Sequence, residues 1–385
     1  MNTTAQDLAT KSHNWLKNSV FPLWSKNGID LQTGAFAEGL SLEGRGLTSP
    51  RRALVQARQI YSFVTAGRLD IVDQDVVKKT ITQAITNFSK LYLLENGACL
   101  HSVTPEGVPH NKDLDLYTQA FALFAYANAF EVTKDEKHKT EALKILSYLK
   151  RERKAKGGGY TEIKDGKVFY QSNPHMHLFE SALAWATVDA GEEWKDLSDE
   201  LYELCMTKFI DQETGNLCEH FEEGWIPQRT EGNFIFEPGH HFEWAWLLSI
   251  YQDFFSIDCR PTALSLYEKA TKLGVNAKNF TVDEVWSNGV VKKSSSRFWP
   301  QCERIKAAAR LGLDAPIREQ KNFAQQADEA MTVLFTYLDT PIKGAWQDVL
   351  LESGEFSKQD PKGSSLYHII NAMDEYLNFR PKLIE

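Results

Sequence analysis

Helical hydrophobic periodicity is the dominant pattern of the chain. Apolar residues recur three and four positions apart in twelve segments, and this spacing is typical of amphipathic helices. The predicted helices cover residues 5–19, 51–67, 73–93, 114–130, 134–151, 175–190, 193–210, 238–248, 261–274, 300–312, 317–338 and 363–377. Thr48-Ser49-Pro50 is interpreted as the start of the second helix, because hydroxyl caps and a first-turn proline favour helix initiation.

Turn-rich segments separate these helices in an alternating manner. The even-numbered helices follow glycine-containing hairpin signals, whereas the odd-numbered ones follow short plain connections. Hairpin turns are predicted at Pro105-Glu106-Gly107, Asp165-Gly166, Gly224, Asn288-Gly289 and Gly354. A hairpin plus two helices recurs roughly six times, about every 60 residues. We therefore expect an all-α fold in one domain over residues 1–385. The expected architecture is an (α/α)6 barrel of twelve helices, with the even-numbered helices inside and short β-hairpins at one rim.

Composition and charge narrow the classes of function. The 385-residue chain is 42% hydrophobic and carries a formal net charge of −9, which argues against nucleic-acid and anionic-membrane partners. Five scattered cysteines without a CxxC pair indicate reduced thiols rather than a disulfide framework or a zinc ribbon. The polar N-terminal stretch is unlike a signal peptide, and no apolar run approaches the length of a membrane span. We expect a cytoplasmic protein, monomeric or homodimeric, that acts on a small molecule.

The stretch Glu237–Leu248 contains the strongest candidate chemistry. Pro238 and Gly239 mark a helix start, and an apolar run follows. His240 and Glu243 lie three residues apart, so they share one helix face. An imidazole and a carboxylate on a mostly apolar helix are costly to bury without partners or a task. This stretch is therefore the first candidate for an active-site segment.

Other polar residues interrupt the apolar pattern at corresponding places of the repeat, in the even-numbered helices or directly before them. They are Arg58, Tyr117, Asn173, His177, Glu180, His240, Glu243, Arg297, Trp299, Gln301, Glu303 and His368. In a closed ring these helix starts converge on one central pocket. A concave pocket with several ionisable groups is the default candidate for an active site.

Several other chemistries lack their sequence signals. There is no Walker loop, no GxGxxG motif between a strand and a helix, no HExxH and no GxSxG. A metal site remains an alternative, because His175 and His177 lie on one helix and His240 and His241 on another. Glycoside hydrolysis also remains open, because Glu180, Glu243 and Glu303 could supply two facing carboxylates.

Six motifs, in order along nearly the whole chain, resemble the N-acylglucosamine 2-epimerase superfamily, closest to its mannose isomerase and aldose–ketose isomerase branch. They are QARQIYSF around Arg58, DLYTQAF around Tyr117, NPHMHLFES around His177, EPGHHFEWAWLL around His240, RFWPQCERIKA around Trp299 and SSLYHI around His368. The resemblance implies the same six-fold helical barrel that the repeat predicts.

The resemblance also implies roles for individual residues. It implies that His240 and His368 form an acid/base pair, with Glu243 acting beside His240. The implied substrate-binding residues are Arg58, Tyr117, Asn173, His177, Glu180, Trp299 and Glu303. Among them, Trp299 would form a stacking wall and His177 would help to open the sugar ring. The family is generally metal-independent, so the resemblance implies no metal and no cofactor.

The resulting expectation is an isomerase for a free monosaccharide. A neutral imidazole near its working pH removes the proton next to the carbonyl of the opened sugar, giving an enediol. We expect interconversion of D-mannose and D-fructose. The alternatives are 2-epimerisation of N-acylglucosamine or cellobiose-type sugars, hydrolysis by a glutamate pair, and a non-catalytic sugar-binding module.

Overall fold

A computed structural model describes residues 3–189 and 191–383, and helices dominate it. The helices are α1 (Thr3–Trp15), α2 (Phe21–Asn27), α3 (Ala53–Arg68), α4 (Gln74–Tyr92), α5 (Leu116–Thr133), α6 (Glu136–Glu152), α7 (Ser172–Val188), α8 (Glu192–Leu204), α9 (Pro238–Phe255), α10 (Arg260–Gly274), α11 (Trp299–Leu313), α12 (Ile317–Tyr337) and α13 (Leu366–Phe379). A π turn, Leu16–Val20, joins α1 and α2 into one continuous helix. Counted this way, the described part of the chain contains the twelve predicted helices.

Six helices form the inner wall of the barrel. Helices α3, α5, α7, α9, α11 and α13 pack each against the next, and α13 returns to α3. Almost every residue of α5 and α9 is buried, as expected for helices that are apolar on all sides. The outer helices α4, α6, α8, α10 and α12 each pack against the inner helix that precedes them, and α1 closes the outer wall against α12 and α13. The expected (α/α)6 barrel is confirmed.

Short strands at one rim connect the helix pairs. They form four small antiparallel sheets: β1 (Arg51–Arg52), β2 (Ser102–Val103) and β3 (Pro109–Asn111); β4 (Glu162–Lys164), β5 (Lys167–Gln171), β6 (His220–Glu222) and β7 (Ile226–Pro227); β8 (Ile235–Phe236), β9 (Glu284–Trp286) and β10 (Val291–Lys293); and β11 (Ser296–Arg297) with β12 (Val349–Leu350). The predicted hairpin turn at Asp165-Gly166 joins β4 to β5, and both residues have a positive φ, 49° and 71°. Pairing also links neighbouring repeats, as where β5 joins β6.

Some predicted helix ends are wrong, and local chemistry explains the differences. Thr48-Ser49-Pro50 does not begin a helix, because Arg51 and Arg52 first pair with β2 and α3 begins only at Ala53. The first helix extends beyond residue 19 to Asn27. Pro22, which has no N–H to donate, falls in the first turn of α2, directly after the π turn. Helix α7 begins three residues earlier than predicted, and residue 190, the predicted end, lies outside the described residues.

The buried interior consists mainly of apolar side chains from both walls. All five cysteines are buried free thiols, consistent with the predicted absence of a disulfide framework. No helix within residues 3–189 and 191–383 is long and apolar enough to cross a bilayer. The polar side chains that the barrel does bury are concentrated where the inner helices begin.

Candidate active site

The beginnings of the inner helices surround a cavity at the hairpin rim, which we call the upper pocket. It is lined by Arg58, Tyr117, Asn173, His177, Glu237, His240, Glu243, Arg297, Trp299 and His368. Its volume is about 150 Å³, below the range of pockets that hold drug-sized ligands. The lining is mostly polar and ionisable, which suits a small hydroxylated molecule.

Trp299 contacts both predicted catalytic imidazoles. Its ring centroid lies 5.1 Å from that of His240 and 5.7 Å from that of His368. Gly239 makes this packing possible, because a Cβ at that position would come within 2.5 Å of the indole ring. The Pro238-Gly239 pair therefore both starts α9 and admits the tryptophan. Both imidazoles therefore line one pocket and contact the same aromatic ring.

His240 is oriented by a carboxylate from a rim loop. Its Nδ1 lies 2.9 Å from Oε2 of Glu219, so Nε2 is left for the pocket. Burial alone would lower the pKa of His240, but the charges of Glu219 and Glu237 and the hydrogen bond to Glu219 together outweigh burial and raise the pKa to about 9. Glu219 is itself held in place, because its Oε1 accepts from the backbone N–H of Glu237 at 3.0 Å. His240 is therefore the protonated imidazole of the pair at neutral pH.

His368 makes the same kind of bond with the opposite electrostatic outcome. Its Nδ1 lies 2.8 Å from Oε1 of Glu303. The other oxygen of Glu303 accepts from the fully buried ammonium of Lys306 at 2.6 Å. Burial lowers the pKa of His368 well below its usual value, and the positive charges of Arg58 and Lys306 lower it further. His368 is therefore the neutral imidazole of the pair.

A hydrogen-bonded chain crosses the floor of the pocket. Arg58 donates to the hydroxyl oxygen of Tyr117 at 2.8 Å, and this hydroxyl lies 3.2 Å from Nε2 of His177. Nδ1 of His177 lies 3.1 Å from Glu180, whose other oxygen accepts from the hydroxyl of Tyr367. Arg58 is buried, with its guanidinium 4.4 Å from the ring of Phe121. These bonds fix the direction of each polar side chain.

Three buried polar atoms at the pocket have no hydrogen-bond partner within the described residues. They are Nε of Arg58, Oδ1 of Asn173 and Oε1 of Glu243. Buried polar atoms are nearly always hydrogen-bonded, so these three are candidates to bind a ligand. Burial and the charge of Glu303 raise the pKa of Glu243 well above its usual value, which favours the protonated carboxyl group, a group that can donate as well as accept.

In the described part of the chain, one group of three side chains has ligand atoms close enough to one another to hold a metal ion. The ligand atoms of His177, Glu180 and Glu243 lie within 4.8 Å of one another, and all three residues are buried. Two cations already lie beside this trio, because Lys306 acts electrostatically on Glu243 and Arg58 on His177. A divalent ion would have to compete with both. Metal independence therefore stays a prediction with a physical basis.

The structure brings the predicted site residues together, with one change in how they connect. Glu180 and Glu303 lie behind the pocket wall, bonded to His177 and His368 respectively. Glu243 lines the pocket as predicted, but the carboxylate that bonds His240 is Glu219, not Glu243. The roles of all these residues remain predictions.

The neighbouring histidines point elsewhere. Nε2 of His175 accepts from the backbone N–H of Tyr160 at 2.9 Å, and Nε2 of His241 accepts from that of Leu217 at 3.2 Å. Burial lowers the pKa of His175 to about 4 and that of His241 to about 3. The two residues therefore hold rim loops against the inner helices, and the two-helix histidine metal site considered above does not form.

Sequence reasoning missed Glu219, Glu237 and Lys306. Glu219 and Glu237 lie on rim segments, where no helical periodicity marks a side chain as inward-facing. Lys306 did carry a signal, because it lies three residues after Glu303 on a helix that is otherwise mostly apolar. A lysine three residues after a glutamate on such a helix predicts an ion pair between the two side chains.

The sequence matches the profile of a known protein family over most of its length. The profile of the N-acylglucosamine 2-epimerase (GlcNAc 2-epimerase) family matches residues 34–372. The chain belongs to this family. It is therefore an enzyme of the sugar epimerase and isomerase superfamily, and the predicted family membership is confirmed.

Two relatives are similar to this epimerase-family protein in sequence. A protein of Rhizobium meliloti (strain 1021) named mannose-6-phosphate isomerase is 32% identical over 370 residues, covering 94% of each chain. A protein of Pseudomonas cannabina pv. alisalensis named D-mannose isomerase is 26% identical over 227 residues, covering 54% of each chain.

Two solved structures share the fold of this family member. Cellobiose 2-epimerase from Bacillus thermoamylovorans B4167 has a TM-score of 0.86 at 17% identity, covering 98% of this chain and 99% of that one. A D-mannose isomerase has a TM-score of 0.85 at 19% identity, with the same coverage. At such low identity, and with both activities equally close, these likenesses concern the fold alone.

Proposed function

We propose that the protein interconverts free D-mannose and D-fructose through an enediol. The observation that carries the proposal is the pair of imidazoles that line one pocket beside Trp299, each with Nδ1 bonded to a carboxylate. One imidazole is a base and the other an acid at the same pH. Proton removal next to a carbonyl needs both, because the carbonyl oxygen gains a proton as the carbon loses one.

The reaction begins with ring opening. Glu243, held as the neutral acid, donates a proton to the ring oxygen, while neutral His177 accepts the proton of the hydroxyl on carbon 1. These two groups lie side by side, with 3.9 Å between Oε1 of Glu243 and Nδ1 of His177. The open-chain aldehyde then lies against the indole of Trp299.

Proton transfer follows between carbons 1 and 2. Nε2 of His368 takes the proton of carbon 2, and Nε2 of His240 donates its proton to the carbonyl oxygen on carbon 1, which gives the enediol. His368 then returns its proton to carbon 1, and His240 takes the hydroxyl proton of carbon 2. The product is the ketose, and both imidazoles regain their starting states. The unpaired Nε of Arg58 stabilises negative charge that develops on the oxygens.

The charges of the upper pocket favour an unphosphorylated sugar. Of the two arginines that line it, Arg297 is already paired with carboxylates, with Glu237 at 2.5 Å and with Asp283 at 2.9 Å, so Arg58 alone brings a charge that no carboxylate of the lining pairs with. A sugar phosphate adds about two negative charges that call for cationic partners. Mannose is therefore the preferred substrate over its 6-phosphate, although one relative bears the name of the phosphorylated sugar.

One observation favours a second candidate function, 2-epimerisation of a disaccharide. A cavity of about 310 Å³ adjoins the upper pocket and shares Tyr117 and Asn173 with it. Its other walls include Asp113, Asp115 and Glu162, and Tyr117 is its only aromatic side chain among the described residues. It could hold a second sugar unit, but it offers that unit little aromatic surface to stack on.

Incubation in deuterated water followed by NMR tests the two functions together. The substrates are mannose, mannose 6-phosphate, glucose, N-acetylmannosamine and cellobiose. We expect fructose from mannose, with deuterium at carbon 1 or 2, and little turnover of the others. A 2-epimer from mannose or cellobiose without a ketose would replace isomerisation by epimerisation. Absence of carbon-bound deuterium in every sugar would contradict both.

A further inference from the structure

A second cavity lies at the opposite end of the barrel axis, and we call it the lower cavity. Its volume is about 260 Å³, larger than that of the upper pocket. It is lined by later residues of the inner helices, among them Tyr61 of α3, Phe124 of α5, Ala184 of α7, Trp246 of α9, Arg310 of α11 and Asn371 of α13. All six inner helices therefore contribute to a space that the proposed reaction does not use.

Two buried polar side chains of α13 have atoms in this region that lack partners within the described residues. Nδ2 of Asn371 has no acceptor and Oε2 of Glu375 has no donor, and the two residues are 2% and 7% exposed. The other oxygen of Glu375 accepts from the indole N–H of Trp246 at 2.9 Å. The unpaired donor and acceptor are one helical turn apart, so one small molecule can contact both.

The fixed charges of the lower cavity select against ionic ligands. Four carboxylates, on Glu131, Glu180, Asp374 and Glu375, line it together with the guanidiniums of Arg68 and Arg310. Arg68 lies 3.7 Å from Glu131 and 4.0 Å from Asp374, and Arg310 lies 3.5 Å from Glu375. The excess of carboxylates opposes an anion, and a cation would have to compete with the arginines that already pair with these carboxylates. A neutral ligand meets neither penalty.

The remaining walls suit a molecule with both hydroxyl groups and C–H faces. The rings of Tyr61, Phe124 and Trp246 supply apolar surface, and the unpaired amide and carboxylate call for groups that can accept and donate. A hydroxyl does both. We propose that the lower cavity is a second binding site, separate from the upper pocket, for a small neutral polyhydroxylated molecule of the polyol or sugar class.

One residue, Glu180, links the two cavities. It lines the lower cavity, and its carboxylate bonds His177 and Tyr367 on the side of the upper pocket. A ligand in the lower cavity therefore lies next to a group that positions an upper-pocket side chain. The binding itself does not depend on the proposed isomerase activity.

Protein-detected NMR of the tryptophan indole N–H signals can separate the two sites, because Trp246 lines one and Trp299 the other. The probe is D-glucitol, which has no carbonyl group and cannot be isomerised. Trp246→Phe and Trp299→Phe assign the two signals. We expect the Trp246 signal to shift with its own saturation curve. In Ala184→Phe, whose ring fills the lower cavity, this shift should be lost while any shift of Trp299 remains.

A second variant and two charged probes complete the test. Asn371→Leu removes the unpaired amide at nearly constant volume, and we expect at least tenfold weaker binding as read from the Trp246 signal. An unshifted Trp246 signal, or the same titration in wild type and Ala184→Phe, would overturn the proposal. A stronger response to inorganic phosphate or ethanolamine than to glucitol would overturn the ligand class. Ordered waters alone in a glucitol-soaked crystal would also overturn it.

Discussion

Two histidines of the upper pocket make the same kind of hydrogen bond to a glutamate, but their pKa values shift in opposite directions. On one side Nδ1 of His240 is bonded to Glu219, and on the other Nδ1 of His368 is bonded to Glu303, at 2.9 and 2.8 Å. All four side chains are buried. Yet the pKa of His240 rises to about 9 against the effect of burial, whereas burial lowers the pKa of His368 well below its usual value.

The difference between the two pKa shifts involves the groups that contact the two carboxylates. Glu303 shares its charge with the buried ammonium of Lys306, whereas the charge of Glu219 acts mainly on His240. A carboxylate therefore orients an imidazole in both places. It stabilises the protonated imidazole only where no buried cation neutralises the charge of the carboxylate. Burial, Arg58 and Lys306 therefore keep His368 neutral as the base, while nearby carboxylates keep His240 protonated as the acid. Each of the following experiments alters one side of this comparison.

Removal of the base should have the largest effect. His368→Asn keeps a group that can bond Glu303 but cannot take the proton of carbon 2. A general base typically contributes about 10²–10⁴-fold, so we expect kcat for mannose to fall by that factor. The measurement is fructose formation together with deuterium incorporation. His220→Asn, at an exposed rim histidine, is the control and should retain its rate. Undiminished turnover in His368→Asn would exclude the assigned base.

Removal of the Lys306 ammonium should mainly lower the free energy of unfolding. Lys306→Met leaves the carboxylate of Glu303 buried without its cationic partner. Breaking a buried ion pair costs about 3–5 kcal/mol of unfolding free energy. The matched control is Lys144→Met, which breaks an exposed pair of the same three-residue spacing with Glu141. The control should cost less than about 1 kcal/mol. Urea unfolding measures both. Equal losses in the two variants would contradict the assigned importance of burial.

Neutralising the other carboxylate should move the pH profile. Because His240 must be protonated to act as the acid, the rate is present below its pKa and is lost as pH rises through about 9. Glu219→Gln keeps a hydrogen-bond partner but removes the charge. An adjacent opposite charge shifts a pKa by about 1–3 units, so the alkaline limb of kcat should move to lower pH by that amount. Glu222→Gln, at an exposed neighbouring strand residue, should leave the limb in place.

Chelation should have the smallest effect. If the acid and the base supply all the proton transfers, the trio of His177, Glu180 and Glu243 has no need of an ion. We expect dialysis against EDTA to leave the rate of mannose conversion within about twofold, since no Lewis acid contributes to the transition state. A rate that collapses and returns with added Mn²⁺ or Zn²⁺ would assign the trio as a metal centre.

The fold was predictable because its signals are local and repeated. Apolar periodicity identified the helices, and glycine turns such as Asp165-Gly166 identified the loops that lead into the inner wall. The ends were less predictable, because pairing between distant strands overrides local start signals. Arg51 and Arg52 join β2, some 50 residues away, and so delay the start of α3.

The site was predictable only where a helix carries it. His177, His240 and His368 are polar positions on apolar helices, and their place in the repeat brought them into one pocket. Glu219 is different, because it lies in a rim loop whose hydrogen bonds depend on the assembled barrel. The contrast between acid and base was also beyond sequence reasoning, because it comes from burial and from charges on other helices.

The order of the helices along the chain has a consequence for biosynthesis. His368 lies on α13, the last inner helix, and α1, the first helix of all, packs against α12 and α13. The ring therefore cannot close on the ribosome until α13 has emerged. A copy cut before α13 would hold the acid without the base, so it would not convert an aldose.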